Sequence, residues 1–239
     1  MQILGLNKTT LLDYPGHIAA TIFLGGCNFC CPFCHNKDLV SPKNALENGA
    51  VSIIEQSTVF DFLAKRVNIL DGVCITGGEP TLNKELSKFI TDIKNLGLKV
   101  KLDTNGSNPE MLKYLVNEHL IDYCAMDIKN SPDKYLSTCG IKSAASSKLF
   151  DKIKESVDFL LAQNNFPYEF RTTIVRELHD EGDIIDISKW ISGASAYFLQ
   201  SYEESNGVIE KIFSAHSHDT LLRFQQICMT KIPNTQLRI

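Results

Sequence analysis

Four cysteines fall within eight residues, in the segment Cys27-Asn28-Phe29-Cys30-Cys31-Pro32-Phe33-Cys34-His35-Asn36. The segment follows an apolar run, Ile18 to Leu24, that ends in Gly25-Gly26. Thiols at this density bind a metal, form disulfides or carry out redox chemistry. Disulfides are the weakest of these readings. The chain opens MQILGLNKTTLLDYPGH, with one basic residue and no long apolar stretch, which is not a secretory leader. Nothing approaches the roughly 18 apolar residues that span a membrane. A cytoplasmic protein is expected, in a compartment where thiols stay reduced. The other cysteines, Cys74, Cys124, Cys139 and Cys228, are scattered. Cys74 and Cys124 sit inside apolar strand-like runs and read as small core residues.

Zinc fits the spacing poorly. Cys27/Cys30 and Cys31/Cys34 are two CxxC pairs, but structural zinc sites separate such pairs by about a dozen residues or more. Here Cys30 and Cys31 are adjacent. Setting Cys30 aside leaves C-x3-C-x2-C: Cys27, Cys31 and Cys34. Three thiolates can hold three irons of a cubane cluster, whereas such clusters normally take four cysteines. The missing ligand leaves one iron open, the property that separates catalytic from structural metal sites.

The elements that must position these thiols read as alternating strands and helices. Gly72 to Thr76 is a strand-like run ending in Gly77-Gly78-Glu79-Pro80-Thr81. Paired glycines let a backbone approach a ligand closely, and Glu79, preceding Pro80, is biased toward an extended conformation. Further strands are expected over Leu98–Asp103, ending in Asp103-Thr104-Asn105-Gly106, over Tyr123–Ile128, leading into Asp127-Ile128-Lys129, and over Tyr168–Val175, carrying Glu169-Phe170-Arg171-Thr172-Thr173. Side chains alternate across a strand, so each of the last three has one apolar and one polar face. Lys99, Lys101 and Asp103 share a face, as do Asp127 and Lys129, and Glu169, Arg171 and Thr173. An antiparallel sheet with one wet face explains that pattern by itself. Helical patterns over Val59–Val67, Asn83–Asn95, Pro109–Glu118, Ser147–Ala162, Asp183–Trp190 and Asp219–Cys228 favour parallel βα units instead. The polar faces then line a hollow. The expected fold class is α/β, a partial (β/α)6 TIM-like barrel, with functional residues at the carboxyl ends of strands.

The 239 residues, 44% hydrophobic with a net charge of −4, suit one domain covering 1–239. Two longer loops, Lys37–Gly49 and Ser131–Ser146, stand out as lids or docking surfaces. Mild acidity without a basic stripe argues against a nucleic-acid partner.

The cysteine spacing after a strand, followed by GGEP, resembles the radical S-adenosylmethionine (SAM) superfamily. Leu11 to Gly16 (LLDYPG), then GGCNFxCPFCHN, GVCITGGEPTL, GLKVKLDTNGSNPE, AMDIK, YEFRTTIV and YFLQ occur in order. From about Gly5 to Leu199 this series is similar to the activating proteins of anaerobic ribonucleoside-triphosphate reductase, close to pyruvate formate-lyase activases. The resemblance implies a 4Fe-4S cluster on Cys27, Cys31 and Cys34, and reductive cleavage of SAM. It also implies hydrogen abstraction from a backbone glycine of a partner enzyme. It further implies that Phe33 and His35 flank the cysteine loop against the adenine, that Asn36 supports that loop, and that Gly77, Gly78 and Glu79 hold the SAM amino group. Lys129 and Arg171 are implied to contact SAM. Asp103, Thr104 and Asp127 match the positions of a monovalent-cation site. The implied partners are a glycyl-radical enzyme, namely the large subunit of anaerobic ribonucleotide reductase, and a flavodoxin- or ferredoxin-type electron donor.

The chain departs from this pattern in places. Arg176-Glu177 follows RTTIV where relatives turn through Pro-Gly. Tyr202 is the nearest counterpart of a histidine near the SAM ribose. Cys30 stands where relatives have Arg and is read as a non-ligand. Glu203–Ser217 matches nothing. Blander readings stay open: His35 as a surface loop histidine, Asp127 and Lys129 as a buried pair, and the whole chain as a radical SAM enzyme of small molecules, a non-enzymatic zinc protein or an electron carrier.

Overall fold

The computed structural model describes residues 1–141, 146–204 and 208–239. These fall into two compact units. The first comprises residues 1–28, 36–104 and 108–124, and the second residues 29–35, 105–107 and 125–239.

In the first unit, β1 (Ile3–Thr10) pairs antiparallel with β2 (Ala19–Leu24). Two short helices follow, α1 (Lys37–Val40) and α2 (Pro42–Glu47), then α3 (Gln56–Ala64). β3 (Gly72–Gly77) lies parallel to β2, with Ala19 opposite Gly72 and Leu24 opposite Gly77. A 3-10 turn over Pro80–Leu82 precedes α4 (Leu86–Asn95), and β4 (Lys99–Thr104) pairs parallel with β3. α5 (Pro109–Asn117) leads to β5 (Tyr123–Asp127), which begins in this unit and ends in the other. Composition explains the elements. β2, Ala-Ala-Thr-Ile-Phe-Leu, is apolar on both faces, as a strand covered on both sides must be. Leu86, Phe89, Ile90 and Ile93 form the buried stripe of α4 at helical spacing. Asn108 caps α5 by accepting the Met111 N–H at 3.3 Å, with Pro109 at the first helical position.

In the second unit, α6 (Tyr135–Thr138) and α7 (Ser146–Leu161) precede β6 (Tyr168–Ile174). α8 (Glu181–Trp190) starts on a capping box formed by Asp180 and Asp183. β7 (Tyr197–Ser201), α9 (His218–Met229) and β8 (Thr235–Arg238) complete the chain, with β6, β7 and β8 mutually parallel.

The expected strands are present to within one or two residues. Helix starts moved more. α3 begins at Gln56 rather than Val59, because Gln56, Ser57 and Thr58 form an exposed polar turn that hydrophobic periodicity does not register. α4 begins at Leu86 because Pro80–Leu82 takes the tighter 3-10 turn first. Sequence patterning missed β1, β8 and the short helices. Cys74 and Cys124 are core residues, as read.

The polar strand faces are largely buried and internally paired. Lys101 of β4 is ion-paired with Asp103. Glu169 of β6 is 0% exposed, and both its carboxylate oxygens accept from the Arg238 guanidinium at 2.9 Å. The same guanidinium lies 3.6 Å from the centre of the Phe198 ring. β8 is therefore tied down by a forked, charge-assisted contact as well as by its ladder. Arg238→Ala is expected to destabilise the protein by about 2–4 kcal/mol, less than the full cost of breaking an entirely buried pair because Arg238 is 32% exposed. Urea unfolding of the variant beside Arg238→Lys checks this, with Lys restoring only part of the loss.

Candidate active site

The first unit places Gly77-Gly78-Glu79 directly beside the start of the cysteine loop. The Gly78 N–H donates to Leu24 O and the Glu79 N–H to Gly26 O, both at 2.8 Å. A Cβ on Gly78 would lie 2.1 Å from Gly26 O, and one on Gly77 would lie 2.2 Å from Leu24 O. Only glycine permits this approach. On the loop's other flank, Gly26 N–H donates to Leu39 O at 2.7 Å and Cys27 N–H to Val40 O at 3.1 Å. The residues just after β2, including Cys27, are thus held between the GGEP turn and α1. Asn36 sits at the N-cap of α1, where its carbonyl accepts the Leu39 N–H.

Glu79 is 0% exposed. Its Oε1 accepts from the Thr81 N–H at 3.1 Å, the Thr81 hydroxyl, and the Thr104 hydroxyl at 2.7 Å. Thr81 is fixed in turn by Asn108, whose Nδ2 donates to Thr81 O at 2.7 Å. The carboxylate is therefore aimed by donors from the turn after β3 and from the end of β4. Asp103 takes a different partner, Lys101, whose ammonium also lies 3.8 Å from Cys74 Sγ.

The second unit carries Phe29 to His35. Cys34 N–H donates to Cys31 O at 3.0 Å, closing a tight turn. Cys31 and Phe33 are buried, whereas Cys30 is exposed. Cys30 N–H donates to Cys139 O at 2.9 Å, and Glu210 N–H donates to Pro32 O at 2.9 Å. Phe33 meets Phe213 edge-on at 6.4 Å, and His35 stacks on Tyr202 at 5.5 Å between centroids. His35 is exposed, and its Nε2 donates to Glu203 O at 2.6 Å, which ties it to the segment after β7. Tyr202 is 2% exposed, and its buried hydroxyl has no hydrogen-bond partner among the described residues.

Beyond this loop, Asp127 at the end of β5 is clasped by two cations. Its Oδ2 accepts from Lys129 Nζ at 2.8 Å, and its Oδ1 from Arg171 Nε at 3.0 Å and a terminal guanidinium nitrogen at 2.9 Å. Side-chain exposures are 28% for Asp127, 18% for Lys129 and 12% for Arg171. The trio is open to solvent at its rim, which a sealed structural pair is not. Burial raises the Asp127 pKa, but Arg171 and Lys129 outweigh it and hold the carboxyl at about 2. Burial likewise lowers the Lys129 pKa, and the adjoining Asp127 and Cys31 outweigh it, holding the ammonium above its ordinary range. A hydrogen bond from the Cys139 thiol, opposed by burial and helped by Lys129, lowers the pKa of Cys31 toward the thiolate. His179, buried, contacts Lys129 O at 2.9 Å through Nε2 and steadies the backbone behind the trio.

The expected residues thus assemble in two sets. Gly77, Gly78, Glu79 and Thr104 are joined in the first unit, with Cys27, Asn36 and Asp103 also there. Cys31, Phe33, Cys34, His35, Asp127, Lys129 and Arg171 belong to the second. Among the described residues, no three His, Cys, Asp or Glu side chains are arranged to hold a metal ion. Thr81, Tyr135 and Cys139 were missed. Thr81 had a signal, as the residue two after Glu79 in a turn. Cys139 had none, because its neighbours Cys30 and Cys31 are distant in the chain.

Comparison with known proteins decides the family. The model of the radical SAM superfamily matches residues 21–184. The chain belongs to the radical SAM superfamily. A candidate glycyl-radical enzyme activating enzyme of Methanocaldococcus jannaschii is 35% identical over 209 residues, covering 87% of this chain and 82% of the relative. The pyruvate formate-lyase-activating enzyme of Listeria monocytogenes is 32% identical over 136 residues, 52% of each chain. The crystal structure of Streptococcus suis SuiB bound to the precursor peptide SuiA matches with a TM-score of 0.64 at 15% identity, covering 92% of this chain and 48% of SuiB. That likeness supports the fold, the partial barrel of radical SAM enzymes. The chain is a radical SAM enzyme of the glycyl-radical enzyme activating group, and the family implies a 4Fe-4S cluster and SAM. All eight cysteines are free thiols, as cluster ligands must be, and a hydrogen bond with Cys139 lowers the pKa of Cys31.

The Asp127 trio yields a pH prediction. A carboxyl whose pKa falls from 3.8 to about 2 on folding contributes stability that is present above pH 4 and lost as pH falls toward 2. Asp127→Asn is expected to cost about 2–3 kcal/mol at pH 7, and the difference from the unaltered protein should shrink below pH 4. Urea midpoints of both proteins between pH 7 and pH 3 test it. A pH-independent difference would assign the loss to packing.

Proposed function

We propose that this enzyme activates a glycyl-radical partner, most specifically the large subunit of anaerobic ribonucleotide reductase, in the cytoplasm. The tight Cys31–Cys34 turn, in the same unit as a trio of two cations and one anion open at its rim, carries the reading. Cys27, Cys31 and Cys34 would hold the cluster. When bound, it would supply the electron for reductive cleavage of SAM. Lys129 and Arg171 exceed Asp127 by one positive charge, which suits the SAM carboxylate. Glu79, kept in place by Thr81 and Thr104, suits the SAM ammonium. The buried Tyr202 hydroxyl and its stacked neighbour His35 suit the adenosine, with Phe33 supporting the loop. Asp103, Thr104 and Asp127 are assigned to a monovalent cation on the resemblance alone. A flavodoxin- or ferredoxin-type protein is assigned as reductant. The narrowing to ribonucleotide reductase rests on the order of motifs from LLDYPG to YFLQ.

Glu79→Gln keeps the shape and removes the charge. A charge-assisted hydrogen bond is worth about 1.5–3 kcal/mol, so SAM affinity should fall roughly ten- to a hundredfold, with the cluster retained. Calorimetry on the cluster-loaded variant measures this, and unchanged affinity rejects the role.

The reaction is tested with dithionite, SAM and the ribonucleotide reductase large subunit under anaerobic conditions. Expected products are 5′-deoxyadenosine and a doublet electron-spin signal on the partner. A glycine suits the reaction because it has no side chain to obstruct approach, and hydrogen transfer needs reacting atoms about 3–3.5 Å apart. Deoxyadenosine formed in step with modification of a small metabolite, with no doublet on any glycyl-radical candidate, overturns the activase reading and leaves the superfamily standing.

A further inference from the structure

Two stretches of the chain depart from the pattern of relatives: Arg176-Glu177 after β6, and Glu203–Ser217 between β7 and α9. In the structure Arg176 and Glu177 meet Ser214 of the second stretch. The Glu177 carboxylate accepts from the Ser214 N–H at 2.9 Å through Oε2 and from the Ser214 hydroxyl at 2.6 Å through Oε1. The Arg176 N–H donates to Ser214 O at 3.0 Å, and His216 Nε2 donates to His179 O at 2.8 Å. The same stretch reaches the cysteine loop. The Glu210 N–H donates to Pro32 O at 2.9 Å, next to Cys31. Phe213, the neighbour of Ser214, is buried and meets both Phe33 and Tyr202 edge-on, at 6.4 and 6.5 Å between centroids. Residues 208–217 form neither helix nor strand, so no ladder or helical bond fixes their course. Val208 and Phe213 are their buried apolar anchors, and the exposed Glu177 supplies a polar one. Ordinary loop packing explains the two apolar anchors. It does not explain a carboxylate that takes both donors of one residue and sets the ring beside it against Phe33.

We propose that Glu177 is a positioning residue for the cluster-binding turn: by clasping Ser214 it keeps residues 208–217 drawn over Pro32 and Phe33, which limits the access of small solutes to a cluster held by Cys31 and Cys34. The inference rests on the reading that those two cysteines are cluster ligands. A segment without regular structure opens locally, at a free energy set by its few hydrogen bonds and buried contacts. Removing the exposed clasp lowers that free energy and leaves the core intact.

The test has two readouts. The anaerobically reconstituted protein, without SAM and matched for iron and acid-labile sulfide, is mixed with excess bathophenanthroline disulfonate, and the initial rate of iron release is measured. Glu177→Ala should release iron roughly three- to tenfold faster than the unaltered protein, the range expected from losing hydrogen bonds at one exposed carboxylate. Glu177→Gln keeps an acceptor and should recover at least half of the effect. Ser214→Ala, which removes the hydroxyl bond alone, should move the rate in the same direction by less. Hydrogen exchange of the cluster-free proteins, read by mass spectrometry, should rise in Glu177→Ala over residues 208–217 and 29–35, with β6 and α8 unchanged. Unchanged exchange over residues 208–217 overturns the proposal, because Glu177 is then no clasp. Faster exchange there with an unchanged rate of iron release also overturns it, because the segment then shields nothing. Exchange raised equally in β6 and α8 overturns it by reducing Glu177 to general support of the fold. Retention of the cluster in Cys31→Ala overturns the ligand reading, and the proposal with it, whatever the exchange shows.

Discussion

The contact between the ends of β2 and β3 is backbone against backbone, and the placement of the GGEP turn and of the start of the cysteine loop depends on it. Gly78 meets Gly26 where a single methyl group would overlap a carbonyl oxygen. The Glu79 N–H bond to Gly26 O follows from that approach. So does the position of Glu79, whose carboxylate then finds the hydroxyls of Thr81 and Thr104. A fully buried carboxylate is tolerable only when its oxygens are occupied by donors. Close packing of glycines and satisfaction of a buried charge are therefore one arrangement.

The second unit solves a different electrostatic problem. Two cations and one anion meet around Asp127, and both cations favour negative charge nearby. Lys129 also lowers the Cys31 pKa, so an ion pair at the end of β5 and a thiol in the cysteine loop share one field. The stability that the Asp127 trio provides is conditional on ionised groups, whereas the aliphatic core around it is not. The same unit contains His35 stacked on Tyr202, whose buried hydroxyl has no partner among the described residues. Burying such a group is costly unless a ligand completes it.

Polar residues on alternating strand positions were legible before the structure, and their destination was not. Lys101, Asp103, Glu169 and Arg171 were read as the lining of a hollow. The structure adds their partners: Lys101 is ion-paired with Asp103, and Glu169 with Arg238 from the last strand. Alternation reports which face a side chain takes. It carries no information about a partner supplied by a distant segment. Helix starts failed for a related reason: hydrophobic period marks the buried stripe, while the first turn of α3 is polar and exposed.

What the sequence determined by itself was local and covalent. Cys27, Cys31 and Cys34 have a spacing that restricts the metal centre they suit, and Gly77-Gly78-Glu79-Pro80 encodes a turn that few other residues permit. These properties are set by bond lengths and by the absence of Cβ atoms, so they are readable from neighbours along the chain. The tertiary structure alone decided which groups meet across long separations: Thr104 with Glu79, Arg171 with Asp127, Tyr202 with His35 and Cys139 with Cys30. Each of these depends on strand register and on loops packed at close range. Small errors in either would part the groups, because hydrogen bonds and ion pairs act only at contact distance.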